Sequence, residues 1–300
     1  MTSAKLHADE PDVDAALVRR LVRAQFPHWA DLPIEAFPSA GTDNAIYRLG
    51  QDMAVRLPRL ERVVSQIEKE QRWLPVFAPH LPLAVSLPLA AGVPAEGFPW
   101  PWSVYRWLQG ESAATGRLDD PDEAARALAA FLRALRALDT TGGPAPSSEN
   151  FRRGVPLVER DAATRRAIGE LEGRVDTDGA TAAWEAALRA PGWDRPPVWI
   201  HGDLLPGNLL VHEGRLSAVI DWGGLGVGDP AVDLITAWSL FSAGSRETFR
   251  AALDVDDATW ARGRGWALSI ALIALPYYWN TNPGFAAVAR RTLDEVLSDP

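Results

Sequence analysis

Short apolar stretches, four to seven residues long, alternate with turn residues through much of the first third of the chain. Residues 45–49 (AIYRL) and 53–57 (MAVRL) predict two strands, and the Gly-Gln-Asp at 50–52 between them is typical of a hairpin turn. Further strands are predicted over 85–90 and 102–108. This part of the chain therefore favours a small antiparallel sheet.

Two helical patterns lie around these strands. Residues 13–26 place apolar side chains on one helical face, and Asp12 is a candidate N-cap. Residues 61–74 repeat the pattern, and we expect the helix to end before Pro75, because proline lacks the backbone N–H that a helix interior uses.

The remainder of the chain is mainly helical by the same criterion. Residues 121–138 are rich in alanine and leucine, 140–150 are turn and loop material, and the chain after Pro230 again has helical patterning. Strands and helices are thus segregated, which predicts an α+β fold. We place a boundary near 108–112, with a sheet-rich lobe over 1–108 and a larger helical lobe over 109–300.

Composition limits the functional classes. The net charge of −9 argues against nucleic-acid and anionic-membrane partners, which attract basic surfaces. The absence of cysteine excludes disulfides and thiolate chemistry. The start of the sequence has no apolar signal-peptide core, and the most apolar stretch, 266–276, is too short to span a bilayer. We expect a cytoplasmic protein, with its oligomeric state left open.

The segment HGDLLPGN carries the strongest chemical signal. Asp203 follows a predicted strand (198–200), and Asn208 follows five residues later. A second hairpin, over 209–220, leads to Asp221 in the triplet IDW. A carboxylate at 203 suits acceptance of a hydroxyl proton, and the oxygens of Asn208 and Asp221 suit Mg²⁺ on a triphosphate. Each residue alone is typical of an ordinary turn, but the combined spacing is specific.

HGDLLPGN resembles the catalytic-loop motif of aminoglycoside phosphotransferases, and GDPAVDL (228–234) resembles the segment that follows it. The resemblance implies a bilobal protein-kinase-like fold, with ATP bound between the lobes. It assigns the proton acceptor to Asp203 and the Mg²⁺ ligands to Asn208 and Asp221. His201, Asp229 and Asp233 match the family as bracing residues.

The same resemblance assigns nucleotide-binding residues in the first lobe. Ser39 and Asn44 lie where relatives have the loop that covers the phosphates. Arg56 stands where most relatives have lysine, which replaces a point charge with a planar fork. Glu70 is its expected helical partner, with Glu68 as the alternative.

Adenine recognition is expected from main-chain groups of Arg106 and Leu108 in the segment WSVYRWLQG, which resembles the hinge between lobes. Leu210 and Ile220 flank the expected metal ligands and are predicted to form the apolar floor below adenine. As strand residues, both would also serve in an ordinary core.

The predicted function is the ATP- and Mg²⁺-dependent transfer of phosphate to a hydroxyl of a small molecule, an aminoglycoside-type antibiotic or a related compound. Three alternatives stay open within or near this class: a catalytically weak nucleotide-binding pseudokinase, which Arg56 favours; a kinase of choline, homoserine or macrolide type; and a metal-dependent hydrolase. The last is disfavoured because five scattered histidines supply few metal ligands.

Overall fold

Strands dominate the first part of the chain and helices the second, so the predicted α+β class is confirmed. The computed structural model describes residues 11–38 and 43–299. Their contacts separate two units, one running to Pro79 and from Ala84 to Gln109, the other containing His80–Leu83 and the chain from Gly110 onward.

The strands of the described residues are β1 Ile34–Phe37, β2 Asn44–Leu49, β3 Met53–Pro58, β4 Ala84–Val85, β5 Pro88–Gly92, β6 Trp102–Arg106, β7 Glu111–Ser112, β8 Val198–Ile200, β9 Leu209–His212, β10 Arg215–Val219 and β11 Gly226–Gly228. The α-helices are α1 Ala15–Gln25, α2 Val64–Phe77, α3 Pro121–Arg136, α4 Asp161–Glu170, α5 Thr177–Arg189, α6 Thr236–Ser239, α7 Ala243–Leu253, α8 Asp257–Tyr278 and α9 Pro283–Ser298.

The first unit is built on a five-stranded sheet in the order β1-β2-β3-β6-β5, and each neighbouring pair is antiparallel. Gly50 opens the β2–β3 turn at φ +60°, a conformation that glycine adopts without steric cost. The register places Ile46 opposite Arg56. Val55 and Leu57, which alternate with Arg56, are fully buried.

Three sequence predictions in this unit were wrong in detail. The strand expected over 85–90 is two short strands, because the chain breaks before Pro88, which has no N–H for a ladder. The N-cap of α1 is Asp14 instead of Asp12, and its Oδ1 accepts from Leu17 N at 2.7 Å. Helix α2 continues through Pro75 to Phe77, because Leu74 and Phe77 are buried on either side of the proline.

The second unit is mainly helical and carries two small β structures. β9 and β10 form the predicted hairpin, β7 adds to β9, and β8 pairs with β11. The β11 strand has the sequence Gly-Val-Gly and lacks the apolar alternation that would have predicted it. Helix α8 packs against α9 and α5, and α3 against α7.

Large aromatic side chains fill the core of the second unit. Five of its tryptophans are completely buried and serve in packing: Trp184, Trp199, Trp222, Trp238 and Trp266. Over the ranges 11–38 and 43–299, every helix is too short or too polar to cross a membrane.

Candidate active site

The candidate catalytic loop begins where β8 ends. His201 and Gly202 follow the strand, and Gly202 turns the chain at φ +82°. A Cβ atom on Gly202 would lie 2.5 Å from the carbonyl oxygen of Gly224. Because that approach is shorter than any real contact, only glycine fits at the centre of the His-Gly-Asp triplet.

A buried carboxylate stabilises this turn by hydrogen bonds to its backbone. Asp233 is fully buried, and its two oxygens accept from the backbone nitrogens of His201 at 3.0 Å and Gly202 at 2.7 Å. Asp229 accepts from Ala231 N at 3.0 Å as a helix cap and pairs with buried Arg262 at 2.8 Å. Both aspartates therefore stabilise the loop, as the sequence predicted.

His201 also braces the loop. Its Nδ1 accepts from Asp203 N at 3.2 Å, so the proton of the neutral ring lies on Nε2, which donates to Ile220 O at 3.0 Å. The ring lies 4.6 Å from that of Trp222. Burial lowers the pKa of His201 below its ordinary value. Both ring nitrogens are thus engaged inside the protein, and His201 is not placed to act as a base.

Asp203 and Asn208 are joined by side-chain hydrogen bonds. The Asn208 amide nitrogen donates to the Asp203 backbone oxygen at 2.8 Å and to Asp203 Oδ2 at 3.0 Å. These bonds close the loop between the two residues and fix the carboxylate. Within the described chain, the Asn208 amide oxygen accepts no hydrogen bond, which leaves it available to a cation.

Asp221 follows β10 and adopts the left-handed conformation at φ +60° and ψ +75°. Its neighbour Ile220 donates its N–H to Asn208 O at 2.9 Å, so the backbones at 208 and 220 are directly linked. The Asp221 side chain is exposed. Its charge acts on Asp203: burial raises the pKa of the Asp203 carboxyl, Arg153 lowers it, and Asp221 raises it further.

Arg153 is the residue near Asp203 that the sequence did not indicate. Its Nη2 donates to Asp203 Oδ1 at 3.1 Å, with side-chain exposures of 13% for Arg153 and 29% for Asp203. Phe151 and Arg152, the two residues before it, both have positive φ, which is uncommon without glycine. The segment ENFRRG has no motif that would have identified Arg153.

In the first unit, the Arg56 guanidinium forms hydrogen bonds along two of its edges, one to Glu70 and one to Asn44. Its Nη1 donates to both carboxylate oxygens of Glu70, at 2.9 and 3.0 Å. With the Asn44 amide oxygen turned towards the guanidinium, that oxygen accepts from Arg56 Nε at 3.1 Å and Nη2 at 3.0 Å. Tyr105, which the sequence did not single out, donates its hydroxyl to Glu70 Oε2. Glu70, and not Glu68, is therefore the partner of Arg56.

The other residues predicted to bind the nucleotide differ in their location and exposure. Ser39 lies outside the described residues. Arg106 ends β6, is exposed, and donates its N–H to Leu87 O at 2.9 Å. Leu108 is partly buried. In the second unit, Leu210 lies in β9 and is 9% exposed, while Ile220 follows β10 and is partly buried.

Comparison with known proteins identifies the class. Residues 34–266 match the model of the phosphotransferase enzyme family. The chain belongs to this family, so it is a phosphotransferase by family, and the predicted resemblance to aminoglycoside phosphotransferases is confirmed.

Individual relatives are more distant. The chain is 27% identical over 237 residues to YcbJ of Bacillus subtilis, an uncharacterised protein. The matched region covers 73% of this chain and 71% of YcbJ. It is 32% identical over 115 residues to an aminoglycoside 3'-phosphotransferase of Escherichia coli, covering 38% of this chain and 41% of that protein.

Solved structures support the fold. The GDP complex of aminoglycoside 2'-phosphotransferase-IIIa has a TM-score of 0.73 at 19% identity and covers 95% of this chain and 99% of its own. The macrolide 2'-phosphotransferase MphH of Brachybacterium faecium has a TM-score of 0.61 at 23% identity, with 96% and 98% covered. Identities this low show a shared kinase-like fold alone.

Proposed function

We propose that this protein transfers the γ-phosphate of ATP to a hydroxyl group of a small molecule, with Asp203 as the proton acceptor. The observation that carries the proposal is the fixed pair of Asp203 and Asn208. The amide nitrogen of Asn208 donates one hydrogen bond to the Asp203 carboxylate and one to the Asp203 backbone oxygen, while the amide oxygen stays available. This arrangement supplies one base and one cation ligand from a six-residue loop.

In the proposed step, the acceptor oxygen bonds to the γ-phosphorus, and the bond from that phosphorus to the bridging oxygen of ADP breaks. The hydroxyl proton passes to Asp203, and ADP leaves. Asp203 fits this role because Asn208 and Arg153 fix its orientation from two sides. Most of the acceleration in this class of reaction comes from positioning and charge stabilisation.

The oxygens of Asn208 and Asp221 suit Mg²⁺, which prefers a few protein oxygens together with phosphate oxygens and water. When bound, Mg²⁺ would neutralise phosphate charge. Asn208 fits as a ligand because its amide nitrogen is committed to Asp203. Asp221 fits because its exposed carboxylate follows directly on Ile220, whose N–H is bonded to Asn208 O.

Arg56 is proposed to bind phosphate oxygens in place of the lysine of most relatives. Its orientation is fixed by Glu70 and Asn44, and its side chain keeps 13% exposure. A fixed guanidinium suits phosphate recognition, which favours an active enzyme over the pseudokinase alternative. We further propose that Arg106 and Leu108 provide main-chain contacts to adenine, that Leu210 and Ile220 contact its faces, and that Ser39 contributes to phosphate binding.

The acceptor class has two candidates. Solved neighbours include a kanamycin complex and a gentamicin complex of aminoglycoside phosphotransferases, as well as macrolide phosphotransferases, which makes such antibiotics the first acceptors to test. The alternative is a metabolite alcohol. The contact between Arg153 and Asp203 favours the alternative, because a guanidinium at the base disfavours a polycationic acceptor.

The test is ADP or GDP release from wild-type protein supplied with Mg²⁺, each nucleotide in turn, and a panel of hydroxyl compounds. The panel contains aminoglycosides, macrolides, sugars and hydroxy acids. We expect acceptor-dependent release with ATP. GDP is bound in one set of neighbours and ADP in another, so GTP is the necessary comparison. Release that no acceptor stimulates would contradict the proposal.

A further inference from the structure

Three arginines lie in the segment 152–160, which includes the contact of Arg153 with Asp203: Arg152, Arg153 and Arg160. Arg153 donates to Asp203 at 3.1 Å. The preceding residue, Arg152, pairs with Glu159, which brings the chain back on itself. The charges of Arg153 and Arg152 both act on the Arg160 guanidinium, so the three side chains lie in one region. Positive charge is therefore concentrated around Arg153, which contacts the proposed base.

Among the described residues, Arg160 has no acidic partner of its own. Its Nε donates to Ser269 Oγ at 3.3 Å, and its guanidinium lies 5.1 Å from the centre of the Trp266 ring. In the part of the chain that the structure describes, no carboxylate forms an ion pair with it. Burial lowers the pKa of Arg160 to about 10, and the charges of Arg153 and Arg152 act in the same direction. A partly buried cation in this setting stabilises an added anion.

The hydrogen bonding of Arg153 is also incomplete. Its Nη2 is used by Asp203, but its Nε is buried and has no acceptor among the described residues. Buried guanidinium donors are normally satisfied, so the Arg153 Nε has a hydrogen bond to give to an oxygen acceptor. The backbone before it is strained, since Phe151 and Arg152 both lie in the left-handed region. Strain of this kind concentrates at functional sites.

We propose that Arg153 and Arg160 form an anion-binding subsite beside Asp203, and that the acceptor is a hydroxyl compound carrying a carboxylate or a phosphate group. The inference rests on the proposed function, because it names the acceptor of that same site. The acid would pair with the two guanidinium groups and orient the neighbouring hydroxyl towards Asp203. A polycationic acceptor would instead add positive charge where it is already in excess.

The test is calorimetric titration without nucleotide, so that binding is measured apart from transfer. One series has the glucose skeleton: D-glucose, D-glucosamine, D-gluconate and D-glucose 6-phosphate. A second has the glycerol skeleton: glycerol, D-glycerate and glycerol 3-phosphate. We expect at least one acid to bind about tenfold or more tighter than its neutral partner, and this preference to weaken with added salt. Comparison of the carboxylates with the phosphates in each series shows which of the two acidic groups the protein recognises.

Variants locate the subsite. Arg160→Gln is expected to reduce acid binding about tenfold without changing the neutral sugars, and Arg160→Lys is expected to retain part of the affinity. The matched control is Arg165→Gln, which removes an equal charge from an exposed arginine already paired with Asp161 and Glu185 and should change nothing. If Arg160→Gln is poorly folded, the salt dependence of the wild type and Arg160→Lys still provide the test.

Two results would overturn the subsite. One is neutral or cationic members binding as tightly as the acids, or no acid binding at millimolar concentration. The other is unchanged acid affinity in folded Arg160→Gln. Transfer to glucosamine or an aminoglycoside, with no transfer to acids, would refute the acidic acceptor and leave the proposed function standing. Acid binding without transfer to any compound would refute the proposed function, and the acidic acceptor with it, and would leave only the anion-binding subsite standing.

Discussion

The Asn44 amide and the Arg56 guanidinium are joined by two hydrogen bonds, from Nε at 3.1 Å and Nη2 at 3.0 Å. Glu70 takes the other side of the guanidinium through Nη1. Both partners are buried, Glu70 at 1% exposure and Asn44 at 8%. The side chain at position 56 therefore has to satisfy two acceptors at once. A lysine has a single nitrogen on a flexible stem and cannot span both partners.

Replacing Arg56 by lysine, the residue that the family resemblance leads us to expect there, is therefore predicted to harm this protein. Arg56→Lys keeps the charge beside Glu70 but leaves the buried Asn44 oxygen without its donors. We expect a loss of roughly 1–3 kcal/mol in the free energy of unfolding and a raised KM for the nucleotide. Chemical denaturation and steady-state kinetics measure the two effects.

Arg62→Lys is the matched control, because Arg62 is exposed and pairs with Asp43 at the surface. This variant should behave as the wild type. A stable Arg56→Lys protein with an unchanged nucleotide KM would show that the hydrogen bonds from Arg56 to Asn44 are needed neither for stability nor for nucleotide binding.

Tyr105→Phe tests the support beneath Glu70. The buried Tyr105 hydroxyl donates to Glu70 Oε2, and its removal takes away a hydrogen bond to a charged group. We expect a loss of about 1.5–3 kcal/mol in the free energy of unfolding. Tyr277→Phe serves as the control, since Tyr277 is 64% exposed. Equal stability of the two variants would contradict the role given to Tyr105.

The sequence predicted the parts of the fold that local rules determine. The β2–β3 and β9–β10 hairpins were predicted closely, because glycine turns and apolar alternation define them. The end of α2 was not, because long-range burial of Leu74 and Phe77 outweighs the local effect of Pro75. β11 was missed because a three-residue Gly-Val-Gly strand has no periodicity of its own.

Prediction of the candidate site divides in the same way. Asp203, Asn208 and Asp221 could be singled out because their spacing along one loop and one hairpin is short, and their roles stay predictions. Arg153 was not, because its contact with Asp203 joins residues 50 positions apart. Tyr105 was not singled out either, since its hydroxyl meets Glu70 across 35 positions. Contacts of this kind depend on the tertiary fold and leave no local pattern.

Substitution of the proposed Mg²⁺ ligands, Asn208 and Asp221, should weaken nucleotide binding only when Mg²⁺ is present. Asp221→Asn and Asn208→Ala are expected to weaken nucleotide binding in the presence of Mg²⁺ by about tenfold or more, with little change when the metal is chelated. Titration of a fluorescent nucleotide with and without EDTA measures this. Asp178→Asn, an exposed position on α5, is the control. Equal losses with and without Mg²⁺ would argue against metal ligation.

Gly202→Ala tests the turn that presents Asp203. An added Cβ would clash with the Gly224 carbonyl at 2.5 Å in a backbone conformation of φ +82°. The conformation alone costs roughly 1–2 kcal/mol for a residue other than glycine, so we expect lower stability and a large loss of turnover. Gly207→Ala is the control in the same loop, because its Cβ would meet no atom within 4 Å. Similar behaviour of the two variants would contradict this account.

The most direct test follows phosphate from nucleotide to acceptor. Phosphorus NMR of wild-type protein with Mg-ATP and the hydroxyl panel should show a phosphate monoester forming as ADP appears. Asp203→Asn, which keeps the shape of the side chain, should slow that formation by about 10²–10⁴-fold while binding Mg-ATP with similar affinity. Equal rates of monoester formation in the two proteins, or no monoester with any acceptor, would contradict the account.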